Sequence, residues 1–317
     1  MSRLAILNSE TLIGEEQKQA QKGRHELWAE VRLLTTVADD IGVVTEGVDG
    51  AAFVQELSAE SLQGVDILIA CPGPQPPDGA WLPHGATLVQ LDPGEPVADG
   101  VIIVAGVNLE RARPGTVLVS PHPSVVALGL LLDPLRQFGL EQAACWALLP
   151  ASARGQEGID ELLEQTRSIL SFRSDQPQEV FGHQLAFNIL PSNVQGSELA
   201  SQLTDVFNGE VVPSMQILQA GVFHGIAAGA QVRLANAPSS RELAEELAGG
   251  PFFTSTDDPA SVGPVATTGR SSLLLGSVED SPELPGAMAL WAAGDNLTLA
   301  GAHNVVSIVE ALVAPRH

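Results

Sequence analysis

Lysine is almost missing from this 317-residue chain, with Lys18 and Lys22 the only two, so any anion site must rest on arginine, histidine or backbone N–H groups. Positive charge of any kind is scarce. The formal net charge is −23, and such a surface repels nucleic acid and acidic membranes, which argues against both as partners. Cysteine occurs twice, as Cys71 and Cys145, each beside an apolar run where a reduced, buried thiol is the expectation. Neither belongs to a CxxC or to a zinc-ligand set, so no metal site is expected. No apolar run approaches the roughly 20 residues of a membrane span. The first residues, Met1 to Leu7, read as a strand rather than as a secretory signal, and the expected location is cytoplasmic.

What is present is an ordinary globular composition, 44% hydrophobic and 17% charged, in a chain long enough for about two domains. Leu4 to Leu7, Val31 to Leu34, Val65 to Ala70, Thr87 to Leu91 and Val101 to Val104 are short apolar runs separated by turn or helical segments. Runs without alternation suggest parallel strands covered on both faces, and so an α/β, Rossmann-type nucleotide-binding domain. Val117 to Val119 then leads through Ser120-Pro121-His122-Pro123-Ser124 into an apolar helix, Val125 to Leu132, with proline well placed for a helix start.

The second part alternates strands and helices as an α+β domain would. Cys145 to Leu149 reads as a strand and Gly158 to Leu170 as an amphipathic helix. Leu185 to Leu190 follows, then a helix over Glu198 to Phe207, strands over Gln216 to Phe223 and Ala230 to Leu234, and a helix over Ser240 to Leu247. Leu273 to Gly276 and Ala287 to Ala292 supply last strands, and Asn304 to Leu312 a closing helix.

Several segments, in order along nearly the whole chain, resemble the aspartate-semialdehyde dehydrogenase family. The strongest are Leu185-Ala186-Phe187-Asn188-Ile189-Leu190-Pro191 and Asp295-Asn296-Leu297 followed by Gly301-Ala302-His303-Asn304. Val107-Asn108, Ser152 to Gly155 before Ile159-Asp160-Glu161-Leu162, and Ser120 to Ser124 add to them. The resemblance implies a Rossmann-type domain over 1–124, an α+β dimerisation domain over 125–299, and a C-terminal helix, 300–317, returning to the first domain. It also implies NADP as cofactor, an oxidoreductase acting on an aldehyde in amino-acid biosynthesis, and a homodimer.

The family's chemistry needs a cysteine thiolate to form the acyl-enzyme, a histidine base, an arginine for the substrate carboxylate and a dinucleotide for hydride. Pro123 stands where the resemblance places the cysteine. Gln219 stands at the arginine and Ile226 at the histidine, when Phe223 and Gly225 are set on the family's pattern. Leu149 falls at the glutamine, and Leu203 and Asp205 near an expected glutamate and lysine. The phosphate-binding region reads Asp92-Pro93-Gly94-Glu95-Pro96, with two acids and no base. At the cofactor turn, Asn8-Ser9-Glu10-Thr11-Leu12-Ile13-Gly14 keeps only the last of three glycines. Thr35 to Asp40 lacks the arginine that would read a 2′-phosphate. Vestigial cofactor contacts remain conceivable at Gly14, Asn108 and Asn304, though turn and cap duties explain the two asparagines equally well.

These losses point to a catalytically inactive homologue, similar to the Usg-type paralogues that lack the catalytic cysteine, with a scaffold or regulatory role as a dimer. No cofactor is expected, or NAD(P) if the site survives. A pairing with an active paralogue is the other partner considered. Two further readings stay open: an active NAD(P)-dependent semialdehyde dehydrogenase with relocated groups, for which Cys71, His122 and His224 are the raw material, or a small-molecule sensor using the old cleft.

Overall fold

The computed structural model describes residues 1–74, 82–92, 97, 99–173, 175–281 and 284–314. Two compact units emerge, one comprising Met1–His122 with Gly301–His317, the other Pro123–Ala300.

The first unit is built on an eight-stranded sheet. Its strands are β1 (Ser2–Leu7), β2 (Trp28–Thr35), β3 (Val44–Gly47), β4 (Gly50–Glu56), β5 (Ile67–Ala70), β6 (Thr87–Leu91), β7 (Val101–Ile102) and β8 (Val117–Ser120), in the order β3-β4-β2-β1-β5-β6-β8-β7. All neighbours are parallel except the β3–β4 pair. Strands β4-β2-β1-β5-β6-β8 reproduce the 3-2-1-4-5-6 order of dinucleotide-binding sheets, whose ligand crevice opens where the order reverses, between β1 and β5. The apolar runs explain the burial: Leu4, Ile6, Leu33, Ile67, Ile69, Val89 and Leu118 form one core. The C-terminal helix α6 (Asn304–Val313) adds Val305, Ile308 and Val309 to it.

The second unit carries a seven-stranded sheet. Its strands are β9 (Leu140–Leu149), β10 (Ile189–Pro191), β11 (Ser214–Ala220), β12 (Ile226–Leu234), β13 (Phe253–Thr254), β14 (Leu273–Asp280) and β15 (Ala287–Gly294), in the order β10-β11-β9-β12-β15-β14-β13. Alternation along these strands divides the two faces. Cys145, Ala147, Ala230, Val232, Met288 and Leu290 are buried, and the helices α2 (Pro123–Leu132), α4 (Gly196–Val206) and α5 (Ser240–Gly249) pack on the sheet. On the opposite face the register aligns Ile189, Leu218, Leu148 and Trp146, all at least partly exposed. Two glycines let tryptophans lie flat on this face. A Cβ at Gly229 would sit 2.2 Å from the Trp146 ring, and one at Gly276 2.4 Å from that of Trp291.

The structure corrects several sequence expectations. The β3–β4 hairpin was not expected, although Asp49-Gly50 at its tip is a strong turn dipeptide. Within Leu185 to Leu190 only the last two residues join a strand. Phe187 adopts φ 59°, and Asn188 Nδ2 donates to the Gln184 carbonyl in a turn. Strand β11 ends at Ala220 rather than Phe223, because Gly221 to Gly225 must turn the chain and Gly225 takes φ 85°. Strand β12 begins at Ile226, four residues before the expected Ala230. The helical run 296–313 is long and apolar enough, by length and composition, to cross a membrane, but half of it is buried in the protein. Core packing by α6 accounts for that apolarity.

Candidate functional site

The cofactor half of the site would lie at the switch point of the first unit. There β1 is followed by Asn8, a non-glycine residue at φ 56°, which asparagine tolerates better than most side chains. Its Nδ2 donates to the carbonyls of Cys71 (3.0 Å) and Pro74 (3.3 Å), and Thr36 Oγ1 also donates to the Pro74 carbonyl at 3.1 Å. The loops after β1, β2 and β5 are thereby laced together across the mouth of the crevice. Gly14 lies in α1 (Leu12–Gln21), and a Cβ there would fall 2.4 Å from the Asn8 carbonyl. The glycine that survives is therefore the one whose duty is close helix–strand packing, not approach of a pyrophosphate.

The start of α1 satisfies itself. Thr11 is its N-cap, and its Oγ1 accepts from the Gly14 amide at 3.2 Å. Lys18, whose side chain is fully buried, donates to Glu15 at 2.7 Å and to Thr45 at 3.2 Å, with Glu10 3.6 Å away. One of the two lysines is thus committed to glutamates of this turn. The structure thereby gives Glu10 and Glu15 a shared cation. An i,i+3 spacing from Glu15 to Lys18 was the available signal.

Asn108 and Asn304 do come together, on one segment of backbone. Asn108 Oδ1 accepts from the Val104 amide at 2.8 Å, and its Nδ2 donates to the Ile102 carbonyl at 2.9 Å. Asn304 Oδ1 accepts from the Ala105 amide at 2.7 Å, while its Nδ2 donates to the Ile103 carbonyl (3.0 Å) and to Ser120 Oγ (2.8 Å). Both are buried and clamp residues 102–105 at the end of β7. His303, just before, has its pKa lowered by burial and by nearby Arg24, against an opposing pull from Glu310.

In the second unit the degenerate positions gather at one end of three adjacent strands. Gln219 on β11 pairs with Leu149 on β9, and Ile226 opens β12 one residue beyond the Ala227–Leu148 pair. All three are buried. Gln219 Nε2 donates to the carbonyls of Leu149 and Pro150, both at 2.9 Å, so it ties β11 to the exit of β9. Leu203, on α4, is wholly buried, and Asp205 is exposed. Pro123 is the first residue of α2, the helix that packs against β12 and β9. A cysteine there would gain from the helix dipole, whereas proline offers no sulfur and removes one of the helix-start amides.

The motif Asp295-Asn296 is structural in its contacts. Asp295 accepts from the amides of Gly269, Leu297 and Thr298, capping the π-helical stretch Asn296–His303. Asn296 Oδ1 accepts from the Gly225 amide at 2.9 Å, and its Nδ2 donates to Ser152 Oγ at 3.2 Å. Two buried polar residues of α3 (Gly155–Leu170) were given no role by the sequence: Glu161, quoted only within a motif, and Gln165. Glu161 accepts from the amides of Val180 and Phe181, and Gln165 holds residues 177–186 through both ends of its amide.

Of the raw material for a relocated site, Cys71 is completely buried and desolvation pushes its thiol far above the usual range. Cys145 is pushed up to about 12 for the same reason. Neither supplies a thiolate near neutral pH. His122 is buried at the end of the first unit, and His224 is partly exposed in the turn before β12. The region 93–96 of the phosphate-loop expectation lies outside the described residues.

A dinucleotide-type sheet in one unit and a mixed α+β sheet in the other define the class as a two-part chain with a Rossmann-type first unit. Residues 132–299 match the family described as "Semialdehyde dehydrogenase, dimerisation domain". The chain is 32% identical over 246 residues to a "USG-1 protein homolog" of Azotobacter vinelandii, covering 72% of each. Its fold matches aspartate semialdehyde dehydrogenase II of Vibrio cholerae, solved in complex with ASA, with TM-score 0.88 at 21% identity over 99% of this chain and 98% of that one. It also matches the aspartate semialdehyde dehydrogenase of Candida albicans, solved with NADP, with TM-score 0.71 at 16% identity over 98% and 99%. This chain belongs to the aspartate-semialdehyde dehydrogenase family.

Proposed function

We propose that this chain is a non-catalytic member of its family that serves as a homodimeric scaffold or regulatory subunit. The observation that carries the reading is Pro123 at the start of α2, where family chemistry needs a cysteine. Support comes from the row of Leu149, Gln219 and Ile226, which is buried and offers neither a base nor a cation. It comes also from the saturated amides of Asn304 and from the lacing of the switch-point crevice by Asn8 and Thr36. The turn that would cradle a pyrophosphate does not fit one: its helix-start amide at Gly14 is taken by Thr11, and its one nearby cation, Lys18, is already shared by Glu10 and Glu15. NAD(P) is therefore not part of the reading. The open face of the second sheet, with Ile189, Leu218, Leu148 and Trp146, supports the homodimer. The free, buried thiols of Cys71 and Cys145 support a reducing, cytoplasmic setting.

Restoring the nucleophile alone tests how much of the site is gone. The Pro123→Cys variant is expected to fold and to show no turnover of aspartate semialdehyde with phosphate and either NAD or NADP. Gln219 would still leave the substrate carboxylate without a cation, and Ile226 would leave the thiol without a base. A competent enzyme produced by that one change would mean that the site is intact but for its cysteine, and the assignment of Gln219 and Ile226 would fall.

A further inference from the structure

Parallel sheets of this kind are covered on both faces, as a rule by helices. In the first unit one face has that cover: Ile13 of α1 and Val305, Ile308 and Val309 of α6 close over Leu4, Ile6, Leu33 and Val54. Among the described residues the other face is roofed mainly by the segment after β4, whose Leu57, Leu62 and Val65 pack on Ala5, Leu7, Leu34 and Leu68. Toward the hairpin edge the roof stops. Phe53 and Gln55 alternate with the buried Val54, so they point to this second face, and Val44 pairs with Phe53 across the β3–β4 hairpin. Phe53 is 65% exposed and Val44 59%.

The register that aligns Leu33 with Val54 sets Phe53 beside Arg32, which with Arg3, Glu30, Gln55, Glu56 and Glu60 helps to line an open groove of about 870 Å³. Its two cations are turned inward. Arg32 donates to both oxygens of Glu30, at 2.8 and 2.9 Å, and to the carbonyls of Ser61 and Gln63. Arg3 lies 3.7 Å from the same glutamate and donates to the Gly64 carbonyl. Glu56 and Glu60 are exposed and meet no cation among the described residues. An apolar pair and two free carboxylates therefore stand together on a sheet face that no helix covers.

We propose that this open half-face docks a basic amphipathic helix of a partner protein, with the helix's apolar stripe on Phe53 and Val44 and its lysines or arginines on Glu56 and Glu60. A helix is the element that a sheet of this class takes on a bare face, and apolar anchors with a charged rim are how a groove holds one. The sign follows from the free carboxylates, and the net charge of −23 speeds encounter with a cation. A second copy of this chain would bring another acidic surface against Glu56 and Glu60, which disfavours it as the occupant. No residue of the degenerate site takes part, so the inference does not depend on the catalytic status of the chain.

The test is fluorescence anisotropy of a labelled Leu/Lys peptide of amphipathic helical pattern, titrated with the full-length protein at about 0.15 M salt, where long-range attraction is screened. Saturable binding is expected, weakened about tenfold or more in Phe53→Ser and in the double variant Glu56→Gln with Glu60→Gln. Two controls lie in the second unit: Asp257→Asn with Glu279→Gln removes two exposed acids there, and Val265→Ser an apolar residue that is 90% exposed. Both should bind as the wild type does. Every substituted side chain is exposed, so all variants should melt as the wild type does. Absence of saturable binding, unchanged binding by Phe53→Ser, or an equal loss in the controls would overturn the docking site. A Leu/Glu peptide of the same pattern that bound as tightly would overturn the basic partner, and self-association of the protein abolished by Phe53→Ser would replace that partner with a second copy.

Discussion

Leu218→Glu combined with Ile189→Glu is expected to convert the protein from dimer to monomer, read as a halving of mass by sedimentation equilibrium. The two residues lie on the same face of adjacent strands, since Pro191 pairs with Leu218 and Ile189 with Ala220. Ile189 is 57% exposed, and Leu218 is half-buried beside Leu148 and Trp146. In a single chain these side chains reach solvent, so the carboxylates cost the monomer little and its far-ultraviolet spectrum should be unchanged. Against a partner each glutamate would be desolvated without a counter-ion. Such a charge costs on the order of several kcal/mol, enough to raise a dissociation constant by a hundredfold or more. A double variant that remains a dimer would show that copies associate through another surface.

A second large effect is expected deep in the same unit. Gln165→Leu keeps the side-chain volume but removes the amide at the centre of a buried network. Its Nε2 donates to the carbonyls of Pro177 (2.8 Å) and His183 (3.2 Å), and its Oε1 accepts from the amides of Leu185 (2.7 Å) and Ala186 (3.0 Å). Four backbone groups would lose their partner at a residue with no solvent exposure. At about 1 kcal/mol or more for each unsatisfied group, the expected loss is about 4 kcal/mol in denaturant unfolding, with residues 177–186 becoming accessible to protease first. A loss below about 1 kcal/mol would mean that this segment is held by its apolar contacts, through Leu185 and Ala186 to Ala151 and Leu162, and not by the amide.

Gln165 also shows where sequence reading ran out. A polar residue on an amphipathic helix reads as solvent-facing, and nothing in the periodicity of α3 marks one that is turned inward to serve a distant loop. The parallel strands were legible because burial on both faces leaves continuous apolar runs such as Ile67-Leu68-Ile69-Ala70. The β3–β4 hairpin was not, since β4 is largely exposed and carries no such run. At the candidate site, residue types could be read but not their partners. Asn8 was visible as a lost glycine, yet its reach to Cys71 and Pro74 depends on loops brought together by the sheet order.

The proposed absence of catalysis is most directly tested on the unaltered protein. Purified protein at high concentration, given aspartate semialdehyde, phosphate and either NAD or NADP, is followed for reduced nicotinamide. A rate equal to that without protein is the expected result. Turnover that scales with protein concentration and survives repeated purification would contradict it, and would require a nucleophile that Pro123, Cys71 and Cys145 do not provide.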